Sequence, residues 1–138
     1  MNKAEILAFL NANPDCHLAT VEGNKPHVRA ISIYRADENG IILETSKVKD
    51  LYKQLSENPN VELCFNNYKD GIQVRVSGVA EPVDDLGLKK EIVSKRQFLK
   101  PRVEKEGYEV IAVYRVKEGI ATVWTFETNL APKTYIQL

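Results

Sequence analysis

The stretch Thr45-Ser46-Lys47-Val48-Lys49-Asp50-Leu51-Tyr52-Lys53 carries the residue types of an anion site. Two hydroxyls stand where a strand turns into a helix, and at a helix N-terminus the free backbone amides and the positive end of the dipole favour a negative ligand. Lys49 and Lys53 are four apart, so they share one helical face within reach of that terminus. The same pattern also describes a capped surface helix with solvated lysines, the commoner use of these residues. Arg29 is the second feature, set in the run His27-Val28-Arg29-Ala30-Ile31-Ser32-Ile33-Tyr34. An arginine inside an otherwise apolar strand needs an anionic partner, unless strand alternation turns it out to solvent. The third is the polar stripe Gln73, Arg75 and Ser77, which faces either a ligand or water.

Other chemistries find little footing. Cys16 and His17 point to opposite faces of a strand, and no close set of three or four His and Cys residues offers a metal site. Neither Gly-x-Gly-x-x-Gly nor Gly-x-Ser-x-Gly occurs, so a dinucleotide fold and a hydrolase elbow are both unsignalled. No side chain stands out as a general acid or base. His27 shares a strand face with Arg29 but reads more simply as a turn histidine, and Trp124 reads as a core or interface residue.

The elements that must position these residues follow from periodicity and turn signals. Asn2 and Glu5 form a capping-box pattern ahead of Ile6, Leu7, Phe9 and Leu10, predicting a helix over 3–12 that Asn13-Pro14 ends. Strands are predicted over 16–22, 27–35 and 41–45, separated by Gly23-Asn24-Lys25-Pro26 and Asp37-Glu38-Asn39-Gly40. Ser46 is placed to cap a second helix, with Val48, Leu51, Tyr52 and Leu55 on one side, ending at Glu57-Asn58-Pro59. A hairpin follows, Val61 to Asn66 and Ile72 to Ser77. Then come a helix over 84–98 broken near Pro101, and two strands, 108–116 and 120–127, flanking Lys117-Glu118-Gly119. Roughly seven strands joined mostly by tight turns and three helices favour an α+β fold over a doubly wound sheet, and barrel closure would remove exposed edges.

Composition narrows the class. The chain has 138 residues, one domain's worth, with 19 Lys+Arg against 19 Asp+Glu. That balance lacks the basic excess of a general nucleic-acid binder. The longest apolar runs fall far short of the roughly 20 residues that cross a bilayer. The N-terminus Met1-Asn2-Lys3-Ala4-Glu5 differs from a secretory leader, so a cytoplasmic protein is expected, with Cys16 and Cys64 as unpaired small hydrophobes.

Five segments in order carry a resemblance. His17-Leu18-Ala19-Thr20-Val21, Lys25-Pro26-His27-Val28-Arg29-Ala30-Ile31, Leu43-Glu44-Thr45-Ser46, Lys53-Gln54-Leu55 with Asn58-Pro59-Asn60-Val61, and Gln73-Val74-Arg75-Val76-Ser77-Gly78 resemble the pyridoxamine 5′-phosphate oxidase-like family of FMN-binding split barrels. The likeness runs over about residues 3–83. It implies a mainly β, six- to seven-stranded antiparallel split barrel with peripheral helices, assembled as a homodimer with FMN in two grooves at the subunit interface. It also implies a flavin-dependent oxidoreductase acting on a small molecule, with reduced nicotinamide a candidate donor. By this resemblance Arg29, with Ala30 and Ile31 beside it, takes the position that contacts the flavin phosphate. Thr45 and Ser46 match strand-end positions that bond the same phosphate region, Lys53 matches a basic position on the helix that follows, joined on that face by Lys49 from the residue pattern, and Gln73 matches a position near the isoalloxazine edge.

The chain also departs from the oxidase pattern. Tyr34 stands where the oxidase has a lysine, Lys49-Asp50-Leu51 replaces a Ser-Arg-Lys cluster, and the C-terminal substrate segment is not recognisable. The chain therefore more closely resembles the short members, including general-stress and nitroimidazole-reductase-like proteins. A deazaflavin or haem in the same fold, or a flavin bound without turnover, stand as alternatives.

Overall fold

The computed structural model describes all 138 residues. Helix α1 (Lys3–Ala12) starts at the expected capping box: the Glu5 amide donates to the Asn2 side chain at 2.9 Å and the Asn2 amide donates to the Glu5 carboxylate at 3.2 Å. Strands β1 (Asp15–Glu22), β2 (Lys25–Ser32), β3 (Arg35–Asp37) and β4 (Gly40–Ser46) follow, then α2 (Asp50–Glu57), β5 (Asn60–Asn67) and β6 (Ile72–Pro82). The last third contains α3 (Leu86–Lys95), α4 (Lys100–Glu106), β7 (Ile111–Thr125) and the short β8 (Ile136–Gln137). All strand pairings are antiparallel, in the order β2-β1-β5-β6-β7-β4-β3, with β8 added to β7. No helix is long and apolar enough to cross a membrane.

Strands β2 and β3 are neighbours in sequence but lie at opposite edges of the sheet. Only Ile33 and Tyr34 separate them, so Ser32 and Arg35 lie within about 11 Å of each other and the sheet has to curl until its edges nearly meet. The Ile33 amide bonds the Pro14 carbonyl at 2.9 Å, at the β1 side, and the Tyr34 amide bonds the Ile42 carbonyl at 2.8 Å, on β4. No ladder joins the two edges, so the barrel stays split along this line. The expected single strand over 27–35 is thus two strands with a crossing between them.

Inside the curl, Leu18, Leu63, Phe65, Val74, Val76 and Ala121 are fully buried, with Ile6 and Leu10 of α1 and Leu51 and Leu55 of α2 packed on the same core. The opposite face of β4 and β7 presents Ile42, Ile111 and Val113 to Leu88, Ile92 and Val93 of α3 and Val103 of α4. Strand alternation accounts for both cores, since successive residues of one strand serve opposite faces.

Three other expectations change. Residues 111–125 form one fifteen-residue strand, not two strands around a turn. Lys117-Glu118-Gly119 is instead a bulge, with Glu118 at φ 50° and a register shift opposite Ser77 and Val79. Close approach makes glycine necessary there: a Cβ on Gly78 would lie 2.6 Å from Val116 Cγ1, and one on Gly119 would lie 2.7 Å from Val76 Cγ1. The helix expected over 84–98 ends at Lys95, and α4 is a further helix that sequence reading missed. Its Pro101 sits in the first turn, where a missing N–H costs nothing, rather than acting as a breaker. The cysteines are unpaired as expected, with Cys16 on the inner face and Cys64 on the outer one, although Cys64 is only half-buried.

Burial sets an alkaline limit on this core. The Cys16 thiol is pushed up from 9.0 to about 12 by burial first, then by Cys64 and Asp15, and the Tyr114 phenol from 10.0 to about 12 by burial and then by Tyr52. Both groups ionise earlier in the unfolded chain, so their contribution to stability is whole below about pH 9 and is lost as pH rises toward 12. Urea unfolding midpoints followed over that range are expected to fall, and Tyr114→Phe to make the fall shallower. Identical slopes in the two proteins would contradict this account.

Candidate functional site

The split in the barrel opens into a groove of about 810 Å³, within the range of cofactor sites. Its walls are β2 from Arg29 to Ser32, the end of β4 from Glu44 to Ser46, and the turn into α2 from Val48 to Leu51. The connection between α3 and α4 supplies Arg96, Phe98 and Leu99, and α4 supplies Arg102. Four cations, Arg29, Lys49, Arg96 and Arg102, stand against two acids, Glu44 and Asp50, so the groove is net cationic by two.

Arg29 lies opposite the fully buried Leu18, which places its side chain on the inner face of the sheet. Its Nη1 donates to the Leu18 carbonyl at 3.2 Å and to the Thr20 hydroxyl at 2.9 Å, and its Nη2 donates to Gln54 Oε1 at 2.5 Å. Gln54 Oε1 also accepts from the Thr20 hydroxyl. Every acceptor is neutral, and no carboxylate forms an ion pair with the guanidinium. Burial draws its pKa down from the ordinary arginine value, and the more distant Asp50 opposes that shift. Three of its five N–H donors are used, leaving Nε and one Nη2 hydrogen free. A half-buried cation with only neutral partners keeps much of its desolvation cost, which an anion in the groove would offset.

Thr45 is buried at the end of β4, with Ser46 half-buried beside it. Ser46 does not cap α2. Its hydroxyl is 3.5 Å from the Val48 amide, within a turn, and the helix begins three residues later than such a cap requires, with Lys49 at the N-cap and no side-chain hydrogen bond to the end amides. Six of the eight residues expected at the site, Arg29, Ala30, Ile31, Thr45, Ser46 and Lys49, line this one groove. Lys53 is exposed on α2 and does not. Gln73 is on the outer face of the sheet, where its Nε2 donates to Asn66 at 2.9 Å, and it lines a second groove of about 730 Å³ beneath the C-terminal segment. Trp124 lines that groove too, 37% exposed and bonded through Nε1 to Asn129 at 2.7 Å, so it is no core residue. Tyr34 points away from both grooves, its hydroxyl donating to Glu91 at 2.6 Å.

The residue pair that sequence reading missed is Glu44 with Arg96. Arg96 Nη1 donates to both Glu44 oxygens, at 2.7 and 3.0 Å, and to the Ser32 carbonyl at 3.1 Å, while Nη2 donates to the Ile33 carbonyl at 2.6 Å. One guanidinium thereby ties β4 to the crossing that leaves β2. The available signal was a lone acid, Glu44, in the apolar run Ile41-Ile42-Leu43.

An open antiparallel barrel with a cationic groove along its split is the architecture of a ligand-binding split barrel. This chain belongs to the pyridoxamine 5′-phosphate oxidase family, a flavin-binding, oxidoreductase-like family whose model matches residues 3–117. Over 61 residues, 44% of the chain, it is 34% identical to pyridoxine/pyridoxamine 5′-phosphate oxidase of Psychrobacter cryohalolentis, a match that spans 28% of that protein. Its structure is similar to that of a NimC/NimA family protein from Clostridium acetobutylicum, with 25% identity and a TM-score of 0.79 over 98% of this chain and 91% of the other. It also shares its fold with an FAD-binding protein from Mesorhizobium loti, with 16% identity and a TM-score of 0.65 over 91% and 96% of the two chains.

Removing Arg96 leaves the Glu44 carboxylate, 6% exposed, without its counter-charge. Arg96→Ala is expected to cost about 3 kcal/mol or more in urea unfolding, the usual loss when one partner of a buried pair is deleted. A loss within the range of an exposed ion pair, under about 1 kcal/mol, would show that the tie is dispensable.

Proposed function

We propose that this protein binds FMN as a homodimer and serves in flavin-dependent oxidation or reduction of a small molecule, with reduced nicotinamide as the electron donor. The observation that carries this reading is Arg29, a half-buried guanidinium on the groove wall with neutral partners only and two N–H donors free. A phosphate monoester supplies the missing charge and accepts those hydrogen bonds. Thr45 and Ser46 present hydroxyls to the same groove, and Lys49 stands at the uncapped start of α2, where the helix dipole adds to the attraction.

When bound, FMN supplies the hydride or electron transfer, and the protein contributes anchoring, orientation and electrostatics. No groove side chain is assigned as an acid or base. The ring end of the ligand needs a second surface. Gln73 lies on the opposite face of the sheet from Arg29, so one chain cannot bring both to a single ligand, and a second copy presenting its outer face across the groove resolves the geometry.

The test is a fluorescence-quenching titration of cofactor-free protein with FMN, with riboflavin as the phosphate-free control. FMN is expected to saturate at one per chain and to bind far more tightly than riboflavin. Arg29→Ala is expected to weaken FMN about tenfold to a hundredfold, the worth of hydrogen bonds to a charged group, and to leave riboflavin unchanged. Equal affinity for the two flavins, or an unaffected Arg29→Ala protein, would remove the phosphate assignment.

A further inference from the structure

Gln73 and Trp124 lie opposite each other on β6 and β7, and Arg75 and Thr122 form the next pair on the same face, so the four make a block two strands wide on the outside of the sheet. The C-terminal segment runs over this block and is tied down at several points. Asn129 accepts from the Trp124 indole N–H at 2.7 Å, the Thr134 carbonyl accepts from the Thr122 hydroxyl at 3.2 Å, and β8 pairs with β7 at Ile120 and Ala121. Between the block and the segment lies the second groove, about 730 Å³. Well-packed proteins leave few voids even the size of a water, so a gap of this volume held open by fixed bonds has the dimensions of a ligand site.

Charge and an aromatic wall narrow what it can hold. Arg75 and Lys133 line the groove, and no acid does. The carboxylate nearest Arg75 is Glu62, 3.7 Å from Nη1, which offsets part of the charge but lies beyond hydrogen-bond reach, so the guanidinium donors stay free. Lys133 forms no ion pair. Two cations against Glu62 leave an excess of one positive charge, which suits a monoanion better than a dianion. Trp124 is 37% exposed, and its bond to Asn129 fixes the ring, so a flat apolar surface stands ready inside the groove. Arg75 is the diagonal neighbour of Trp124 in the block, roughly 7 Å away, the span from the centre of a ring to a carboxylate at its edge together with one hydrogen bond. We infer that the second groove binds a planar aromatic carboxylate, with its ring against Trp124 and its carboxylate toward Arg75 and Lys133. The flavin reading uses Gln73 of this face but neither the indole nor the two cations, so this inference does not depend on it.

Trp124 is the only tryptophan, so the ¹⁵N-labelled full-length protein has a single indole N–H signal, and that signal reports on this groove. Titration of the cofactor-free protein with 2-naphthoate is expected to shift it saturably, together with the amides of Thr122 and Lys133. 2-Naphthamide keeps the ring without the charge and acetate keeps the charge without the ring, and each is expected to bind about tenfold more weakly or worse. Arg75→Met and Lys133→Met, which retain the apolar stems at exposed positions, are each expected to weaken naphthoate about fivefold to tenfold, while Arg29→Ala leaves its affinity unchanged. Because no flavin is present, the result is independent of the FMN titration. The inference is overturned by a flat response to naphthoate, by equal affinity for naphthoate and either control, or by loss of the indole shift in Arg29→Ala.

Discussion

The contact on which the rest of the structure depends is the fork of Arg96 between Glu44 and the carbonyls of Ser32 and Ile33. The sheet is curled but not hydrogen-bonded shut, so backbone ladders do not set the distance between its two edges. A planar guanidinium can do so, because its donors leave in fixed directions and reach a carboxylate and two carbonyls at once. The width of the split, and hence the separation of Arg29 from Thr45 and Ser46, follows from that fork. The guanidinium of Arg96 also lies 5.6 Å from the centre of the Tyr34 ring, which adds a second support on the solvent side.

The two interior arginines divide the electrostatic work. Arg96 has its counter-charge built in and is a structural cation. Arg29 is held just as firmly by hydrogen bonds, yet to neutral atoms, so its field is left for whatever enters the groove. Thr20 and Gln54 carry this distinction. Were either a carboxylate, Arg29 would be a second structural ion pair and the groove would lose its attraction for an anion.

What could be read from the sequence follows the range of each interaction. The capping box of α1, the alternation of β5 and β6 and the placing of Arg29 and Thr45 near one another rest on local patterns or on a resemblance carried by short segments. The missed features are non-local. Nothing local marks the break after Ser32, because His27 to Tyr34 reads as one run, and the chain leaves the sheet there only to join the opposite edge. Lys117-Glu118-Gly119 has a turn's composition, but strands on both sides hold β7 in line and convert the turn into a bulge. Glu44 and Arg96 are 52 residues apart, so neither predicts the other. Gln73 illustrates the opposite failure: its segment was recognised, but face assignment across several strands was needed to separate it from Arg29.

The two-residue crossing between β2 and β3 also dictates an order of events as the chain emerges from synthesis. Hairpins β1–β2 and β3–β4 lie within the first 46 residues and can each zip locally. The partners of their remaining edges, β5 for β1 and β7 for β4, come later, and β7 last of the long strands. Until residue 125 is made, the nascent chain is a four-stranded sheet, β2-β1-β5-β6, and a two-stranded ribbon, β3–β4, joined by a hinge, each with an open strand edge of the kind that invites pairing with other chains. Delivery of the one long strand that borders both β6 and β4 is what joins sheet and ribbon into a barrel, so the final quarter of the chain governs when the groove first exists.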